Sequence, residues 1–279
     1  MLSEQWLNML PVSPIDRIVP VPGGDINDTY RMDSGDARYF LKVHAHRDGN
    51  FFTPEAAGLK LLSRAARTPH VIGKGEIGGD DFLILEWIPT GRGRNEQALG
   101  EMLARVHRLT SPSFGLDFDN FAGGLQQSNQ RETDWTTFYL NRRLAPQIAI
   151  AGKHGRWTPD RAAKYERFAA RFRQANHDLH VIPSLLHGDL WGGNIMYAKD
   201  GAPVLIDPSV FYGNREMDIA MTQLFGGFGL DFYRAYNAAW PLEPGWQERL
   251  PWYQLYYLLC HLNMFGEGYG PAVDRTLES

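Results

Sequence analysis

His187-Gly188-Asp189-Leu190-Trp191-Gly192-Gly193-Asn194, followed after an apolar run by Ile206-Asp207-Pro208, is the stretch whose reading decides the fold. It sets out an aspartate, an asparagine five residues on, and a second aspartate at the end of the next apolar segment. Val204-Leu205-Ile206 reads as a short buried strand that holds Asp207 rigidly. Carboxylate and amide oxygens are the hard donors that Mg²⁺ takes alongside water and phosphate oxygens, and a further carboxylate can accept a proton. Taken singly, each aspartate is equally an ordinary turn residue beside Gly188 or Pro208. The spaced triplet, in its joint context, is what points to chemistry.

Composition bounds the rest. The chain has 279 residues, 43% hydrophobic and 13% aromatic, enough to bury a substantial core in one large domain or two lobes. A formal net charge of −4 supplies no basic field for nucleic acid or an anionic membrane surface. The single cysteine, Cys260, excludes an intrachain disulfide and reads as a buried thiol in an aromatic-rich helical pattern, which fits a reducing compartment. Residues 1–13 carry Glu4 and lack the basic start and continuous apolar core of a signal peptide, and no stretch approaches a membrane span. The expected location is cytoplasmic.

Outward from the opening motif, the first ninety residues read as strands with one helix. Segments 29–34 and 37–44 are separated by Gly35-Asp36, a hairpin signal. Thr53-Pro54-Glu55 reads as an N-cap, a first-turn proline and an acidic first turn, with Leu59, Leu62 and Ala66 continuing a helical stripe. Two more strands, 71–77 and 82–87, flank Gly78-Gly79-Asp80-Asp81. A polar link, Gly91-Arg92-Gly93-Arg94-Asn95, then leads into helices. Leu99, Met102, Leu103, Val106 and Leu109 recur at helical spacing, as do Tyr165, Phe168, Ala169 and Phe172, and later Tyr253, Tyr256, Tyr257, Cys260 and Met264. These aromatic stripes are expected to be core. Residues 111–133 form a long Gly/Ser/Asn/Gln-rich connection, expected to lack regular structure.

The motif resembles the catalytic loop and metal-binding turn of the protein-kinase-like phosphotransferases. The resemblance implies an α+β, bilobal protein-kinase-like fold: a small antiparallel-sheet N-lobe with one helix over residues 1–90, and a larger, mainly helical C-lobe over residues 91–279, with ATP in the cleft. Phosphoryl transfer offers the protein little covalent work, so it must place Mg²⁺, orient the hydroxyl and accept its proton. Asp189 takes the role of base, and Asn194 and Asp207 those of metal ligands. Lys42, in the Phe40-Leu41-Lys42-Val43 strand, is the candidate contact to the α- and β-phosphates, with Glu55 as its partner; each is otherwise an ordinary strand lysine and a helix-start carboxylate. Gly23 and Gly24, in Gly23-Gly24-Asp25-Ile26-Asn27, would cover the phosphates with backbone amides, or simply make a tight turn. Glu86, Trp87 and Ile88, at a strand end, are the candidate adenine-binding segment.

With these parts in place the chain resembles the fructosamine-kinase (ketosamine-3-kinase) family, a branch of the aminoglycoside-phosphotransferase-like kinases. The specific features are the residue 187–194 motif with Trp191, Ile206-Asp207-Pro208-Ser209, and Gly213-Asn214-Arg215-Glu216-Met217-Asp218-Ile219-Ala220-Met221, supported by Trp135, Phe138-Tyr139 and Arg142-Arg143-Leu144. The resemblance implies ATP- and Mg²⁺-dependent phosphorylation of a ketosamine at its sugar 3-hydroxyl, on free adducts or on glycated protein lysines. The 3-phosphate then breaks down to free the amine, a deglycation or repair activity. Trp191 would line the sugar pocket, or serve as a buried lobe-stabilising ring. His187 and Asp218 are expected to hold the loop, and His107 to be a satisfied structural histidine. Some members carry a cysteine in the glycine loop; this chain has Asp25, Ile26 and Asn27 there, so redox control through that loop is not expected.

Two other readings compete. The core motif is shared with kinases of aminoglycosides, choline and other small hydroxyl compounds, and a catalytically inactive nucleotide-binding protein would keep much of it. Gly188, where protein kinases usually place arginine, and the lack of an Ala-Pro-Glu motif after Asp207 argue against a protein kinase. Oligomeric state and the preferred sugar and amine stay open.

Overall fold

Leu41 and Val43 alternate with Phe40 and Lys42 along one strand, and that two-residue period assigns the faces of a sheet. The computed structural model describes residues 2–22, 27–45 and 50–279. Strands β1 (Arg17–Pro20), β2 (Asp28–Ser34), β3 (Ala37–His44), β4 (Val71–Ile77) and β5 (Asp80–Glu86) form an antiparallel sheet in the order β1-β2-β3-β5-β4. The β2–β3 hairpin turns at Gly35-Asp36 and pairs Ser34 with Ala37. On β5, Phe82 and Ile84 pack with Trp6, Met32, Leu41 and Val43 on one face, while Leu83 and Leu85 pack with Phe52, Ala56 and Leu59 on the other. A central strand covered on both faces reads as a continuous apolar run. β3 follows the same parity, so Lys42 points to the face covered by the helix Thr53–Leu62.

Two element starts differ from the sequence reading. Thr53 is expected as an N-cap, but it is the first helical residue; the cap position is Phe52, which makes no side-chain capping bond. Burial of the Phe52 ring draws the chain in one residue early, and the Thr53 hydroxyl accepts from Lys74 Nζ at 2.8 Å instead. β5 begins at Asp80 rather than Phe82, because Asp80 and Asp81 pair with Ile77 and Glu76 and the buried Asp81 carboxylate accepts from Phe51 N at 2.8 Å. The sequence reading also leaves out β1 and the short helix Glu4–Leu7, which sends the Trp6 indole into the core to donate to the Ile77 carbonyl at 3.1 Å.

Two compact units emerge, Met1–Arg94 with Met196–Asp207, and Asn95–Ile195 with Pro208–Ser279. A single boundary near residue 90 would leave Met196–Asp207 with the helical part, but its bonds run to the sheet-bearing unit. Leu205 N donates to Arg67 O at 3.0 Å, Gly91 N to Tyr197 O at 3.0 Å and Lys199 N to Pro89 O at 3.1 Å. Ala198 and Val204 close an apolar cluster with Ile88, against which Met196 and Ile206 pack.

The second unit is mainly helical. Its core is aromatic: of the expected stripes Phe168, Phe172 and Tyr253 are buried while Tyr165 and Met264 are only partly so, and Trp135, Phe138 and Tyr139 pack against Phe172 of the helix Pro159–Asn176 and Tyr253 of the helix Trp246–Phe265. Helix Glu96–His107 is capped by Asn95, whose side chain accepts from Ala98 N at 2.9 Å. Residues 111–133 are not structureless. They hold a hairpin, Asn120–Ala122 with Leu125–Gln127, and a buried amide network in which Gln127 Nε2 donates to Asn120 Oδ1 at 2.7 Å and Ser209 Oγ at 3.2 Å. The Asn/Gln-rich composition that reads as loop supplies those amides. Among the described residues no helix is long and apolar enough to cross a membrane.

Candidate active site

In the first unit three charged side chains converge. Lys42 Nζ donates to both oxygens of Glu55, at 2.8 and 3.0 Å, and to Asp207 Oδ1 at 3.0 Å. Lys42 is buried, with only 4% of its surface exposed. Burial alone would lower its pKa, but the Glu55 and Asp207 carboxylates outweigh that and hold it above the ordinary value. Burial pushes the Glu55 carboxyl up, against the pull of Lys42. The parts come from three elements: Lys42 from β3, Glu55 from the first turn of the Thr53–Leu62 helix, and Asp207 from the end of the buried strand Pro203–Leu205. Asp207 has φ +51°, a region that side chains other than glycine adopt sparingly, and it precedes a proline, which narrows the choice further. Strain of this kind marks positions where the direction of a side chain matters.

Of the expected adenine segment, Glu86 is engaged with the protein: its N–H donates to His70 O at 2.8 Å and its carboxylate accepts from His70 N at 3.2 Å. The Trp87 ring stands 6.4 Å from Phe40 with the Arg31 guanidinium 5.9 Å over it, and Ile88 is buried against Ala198 and Val204. The Glu86 and Ile88 side chains are thus scaffold, leaving backbone groups for any nucleotide. Gly23 and Gly24 lie outside the described residues.

In the second unit the loop 187–194 is fixed residue by residue. Asn194 Nδ2 donates to Asp189 O at 2.8 Å and to Asp189 Oδ2 at 2.9 Å, tying the two ends of the motif together. Asp218, fully buried in the helix Glu216–Leu224, accepts from His187 N at 2.7 Å and Gly188 N at 2.9 Å. Both scaffold residues behave as expected, His187 also accepting at Nδ1 from Asp189 N at 3.3 Å. Gly188 has φ +85°, and a Cβ there would stand 1.9 Å from Ser209 O, so no larger residue fits at this point of the loop. Trp191 is 42% exposed, which sets aside the buried-ring alternative; its indole covers Gly193, where a Cβ would come within 2.3 Å of it.

Sequence reasoning missed what stands behind this loop. His107, buried as predicted, bonds Asp218 Oδ2 through Nε2 at 3.1 Å and the Tyr236 hydroxyl through Nδ1 at 2.7 Å. Arg215 reaches the same hydroxyl at 3.2 Å. Burial lowers the His107 pKa against the pull of Asp218, so the ring is neutral. Arg143, in the π-helical turn Tyr139–Leu144, lies between the Phe138 and Phe211 rings, 4.5 and 3.9 Å from their centroids, and donates to Asn129 Oδ1 at 2.6 Å. Arg143, Arg215 and His107 are all quoted in the sequence reading, but no local spacing shows that His107, Tyr236 and Arg215 meet behind the loop.

Comparison with known proteins closes the argument. A family model described as fructosamine kinase matches residues 2–279. A protein of Lactiplantibacillus plantarum named as a ketoamine kinase is 51% identical over 276 residues, 99% of this chain and 98% of that one. A crystal structure from Thermobifida fusca assigned as a fructosamine-3-kinase superposes with a TM-score of 0.86 at 30% identity, covering 95% of this chain and 93% of the other. Aminoglycoside phosphotransferase APH(4)-Ia, at 17% identity and TM-score 0.62 over 98% of this chain and 94% of its own, shares the protein-kinase-like fold. The chain belongs to the fructosamine kinase family.

Proposed function

We propose that the chain transfers the γ-phosphoryl group of ATP to the 3-hydroxyl of ketosamines, with Asp189 as the base. The observation that carries this is the fixed Asp189, held by Asn194 at Oδ2 and by a loop that Asp218 anchors through two backbone amides. The names of the relatives, ketoamine kinase and fructosamine-3-kinase, supply the substrate class.

Asn194 and Asp207 each keep an oxygen of the kind that Mg²⁺ takes. Asn194 commits Nδ2 to Asp189, leaving the amide oxygen, and Asp207 shares Oδ1 with Lys42, leaving Oδ2. Among the described residues no cluster of three or more His, Cys, Asp or Glu side chains forms a ready-made metal cage. Mg²⁺ needs none, since it keeps waters and takes one or two protein oxygens beside the phosphates. An ion held by these oxygens would supply neutralising charge to the phosphates. Lys42, fixed by Glu55, contacts the α- and β-phosphates. Asp189 accepts the proton as the 3-hydroxyl oxygen bonds to phosphorus and ADP leaves. Trp191 packs on the apolar face of the sugar.

Glycated protein lysines are included as substrates, because the exposed Trp191 leaves room for an amine that continues into a longer chain. A cytoplasmic setting suits the lone Cys260, whose thiol burial pushes up to about 12 and so keeps unreactive. The test is Mg²⁺-dependent ADP release with fructosamine, ribulosamine and erythrulosamine derivatives, against kanamycin-like and choline acceptors. Asp189→Ala is expected to lose about 10²- to 10⁴-fold in kcat while still binding ATP. Near-normal turnover by that variant rules Asp189 out as the base.

A further inference from the structure

Four rings gather on the surface of the second unit outside every role assigned so far. His261, on the helix Trp246–Phe265, has its ring centroid 4.6 Å from Phe225, 5.4 Å from Phe265 and 5.0 Å from Tyr269. Phe225 is 39% and Phe265 56% exposed, so large apolar faces stand in water side by side. The imidazole is oriented: Nδ1 lies 2.8 Å from the Tyr257 carbonyl, and since a carbonyl only accepts, that nitrogen carries the hydrogen. Nε2 is then a bare acceptor, with no partner among the described residues. Burial lowers the pKa of His261, the Tyr257 carbonyl opposing, which keeps the ring neutral.

Two links place this cluster beside the catalytic loop. Phe225 runs into Gly226-Gly227, and Gly192, next to Trp191, packs on that pair: a Cβ on Gly192 would lie 3.5 Å from Gly227 Cα and 3.6 Å from Gly226 O. On the helix, Tyr257, one turn before His261, and Cys260, its neighbour in the chain, both feel the charge of Asp189.

A ketosamine joins its sugar to a secondary amine, which is protonated at neutral pH. Such a cation is attracted to aromatic faces and donates hydrogen bonds to a neutral imidazole nitrogen. Resting on the ketosamine reading above, we infer that Phe225, His261, Phe265 and Tyr269 form the subsite for the ammonium end of the substrate, with His261 Nε2 accepting its N–H and the rings covering its charge and first methylenes. The cluster then selects aminated sugars over the parent sugars, a discrimination that the phosphate-handling residues have no means to make.

Turnover on an N-alkyl fructosamine is compared with turnover on the matching ether, in which oxygen replaces the N–H and the charge is gone. The natural chain is expected to show the lower KM for the amine. His261→Ala should raise the KM for the amine about tenfold and erase the preference over the ether. His261→Gln, which restores an acceptor, should recover part of it, and Phe265→Leu, which keeps apolar bulk at an exposed site without a π face, should weaken it by a smaller factor. Equal KM values for amine and ether in the natural chain, or equal rises for both substrates in the variants, overturn the subsite and leave the kinase reading standing. Failure of the natural chain to phosphorylate either compound overturns both. If His261→Ala does not fold, Phe265→Leu alone decides, since its ring stands in solvent.

Discussion

The Lys42 group and the Asp189 loop are held by different physics. In the first unit a buried ammonium faces two carboxylates, so direction and charge come from ion pairs plus one strained backbone position at Asp207. In the second, the Asp189 carboxylate accepts from the Asn194 amide, and the loop that bears it is held through Asp218, whose charge faces two backbone N–H groups and a neutral imidazole. Ion pairs can exchange partners when a phosphate or metal arrives, and a network of short, shape-fitted hydrogen bonds cannot do so without breaking. The first arrangement suits the proposed hand-over of charge to a ligand, and the second suits the proposed base, which has to stay where it is.

Removing one side of the ion pair is the sharpest way to break this contrast. Lys42→Ala leaves the largely buried Glu55 without a partner, which is expected to cost about 3 kcal/mol in urea unfolding. Asp207, whose side chain is 43% exposed, can turn to water and adds little to that loss. Replacing both members, as Lys42→Met with Glu55→Leu, should restore most of the stability and none of the activity. The pH dependence has a fixed sign. The folded pKa of Lys42 is raised, so its contribution is complete below the unfolded value of about 10.4 and fades as pH rises past it. A double variant as unstable as Lys42→Ala would show that charge pairing is not what holds this group.

The second arrangement fails more gently and at the other end of the pH scale. His107→Ala strips a partner from Asp218 and from the Tyr236 hydroxyl, an expected loss of about 1–3 kcal/mol with a fall in kcat and ATP binding retained. Burial depresses the folded pKa of His107, so the unfolded chain takes up the proton first and stability falls as pH drops below about 6.5. His261 is shifted in the same direction, so the His107 variant should flatten that slope without abolishing it. An unchanged slope between pH 7 and 5 would remove His107 from the account.

What the sequence disclosed follows from where the determinants are local. The parity of β3 and β5, the Gly35-Asp36 hairpin and the aromatic helix faces are written in spacings of two or three to four residues, and they are legible. Asp207 is legible from the spaced motif, and Lys42 and Glu55 from the order of parts that the kinase resemblance implies; their meeting is seen in the bonds between them. The support of Asp189 was half legible. Asp218 stands in the quoted 213–221 stretch, but His107 lies 111 residues from it and Tyr236 on the next helix, and only packing brings them together. Residues 111–133 misled for a related reason, since amides that usually mark solvated loops are here bonded to one another in the interior.

The two arrangements also differ in how the helices that bear their partners begin, and this gives the smallest effect and the finest test. The Glu96–His107 helix, which ends in the ring that supports Asp218, starts from Asn95 with its side chain on Ala98 N. The Thr53–Leu62 helix, which presents Glu55, starts with no side-chain cap; the buried Phe52 ring fixes its entry, and the Thr53 hydroxyl faces Lys74. Asn95→Ala should therefore cost about 1 kcal/mol, the ordinary worth of a capping side chain. Thr53→Ala should cost less than about 0.5 kcal/mol, the range of a surface substitution. Thermal or urea unfolding of the two variants side by side measures the difference. Equal losses would mean that Thr53 caps its helix after all, and that the entry of the Glu55 helix rests on local hydrogen bonding rather than on burial of an aromatic ring.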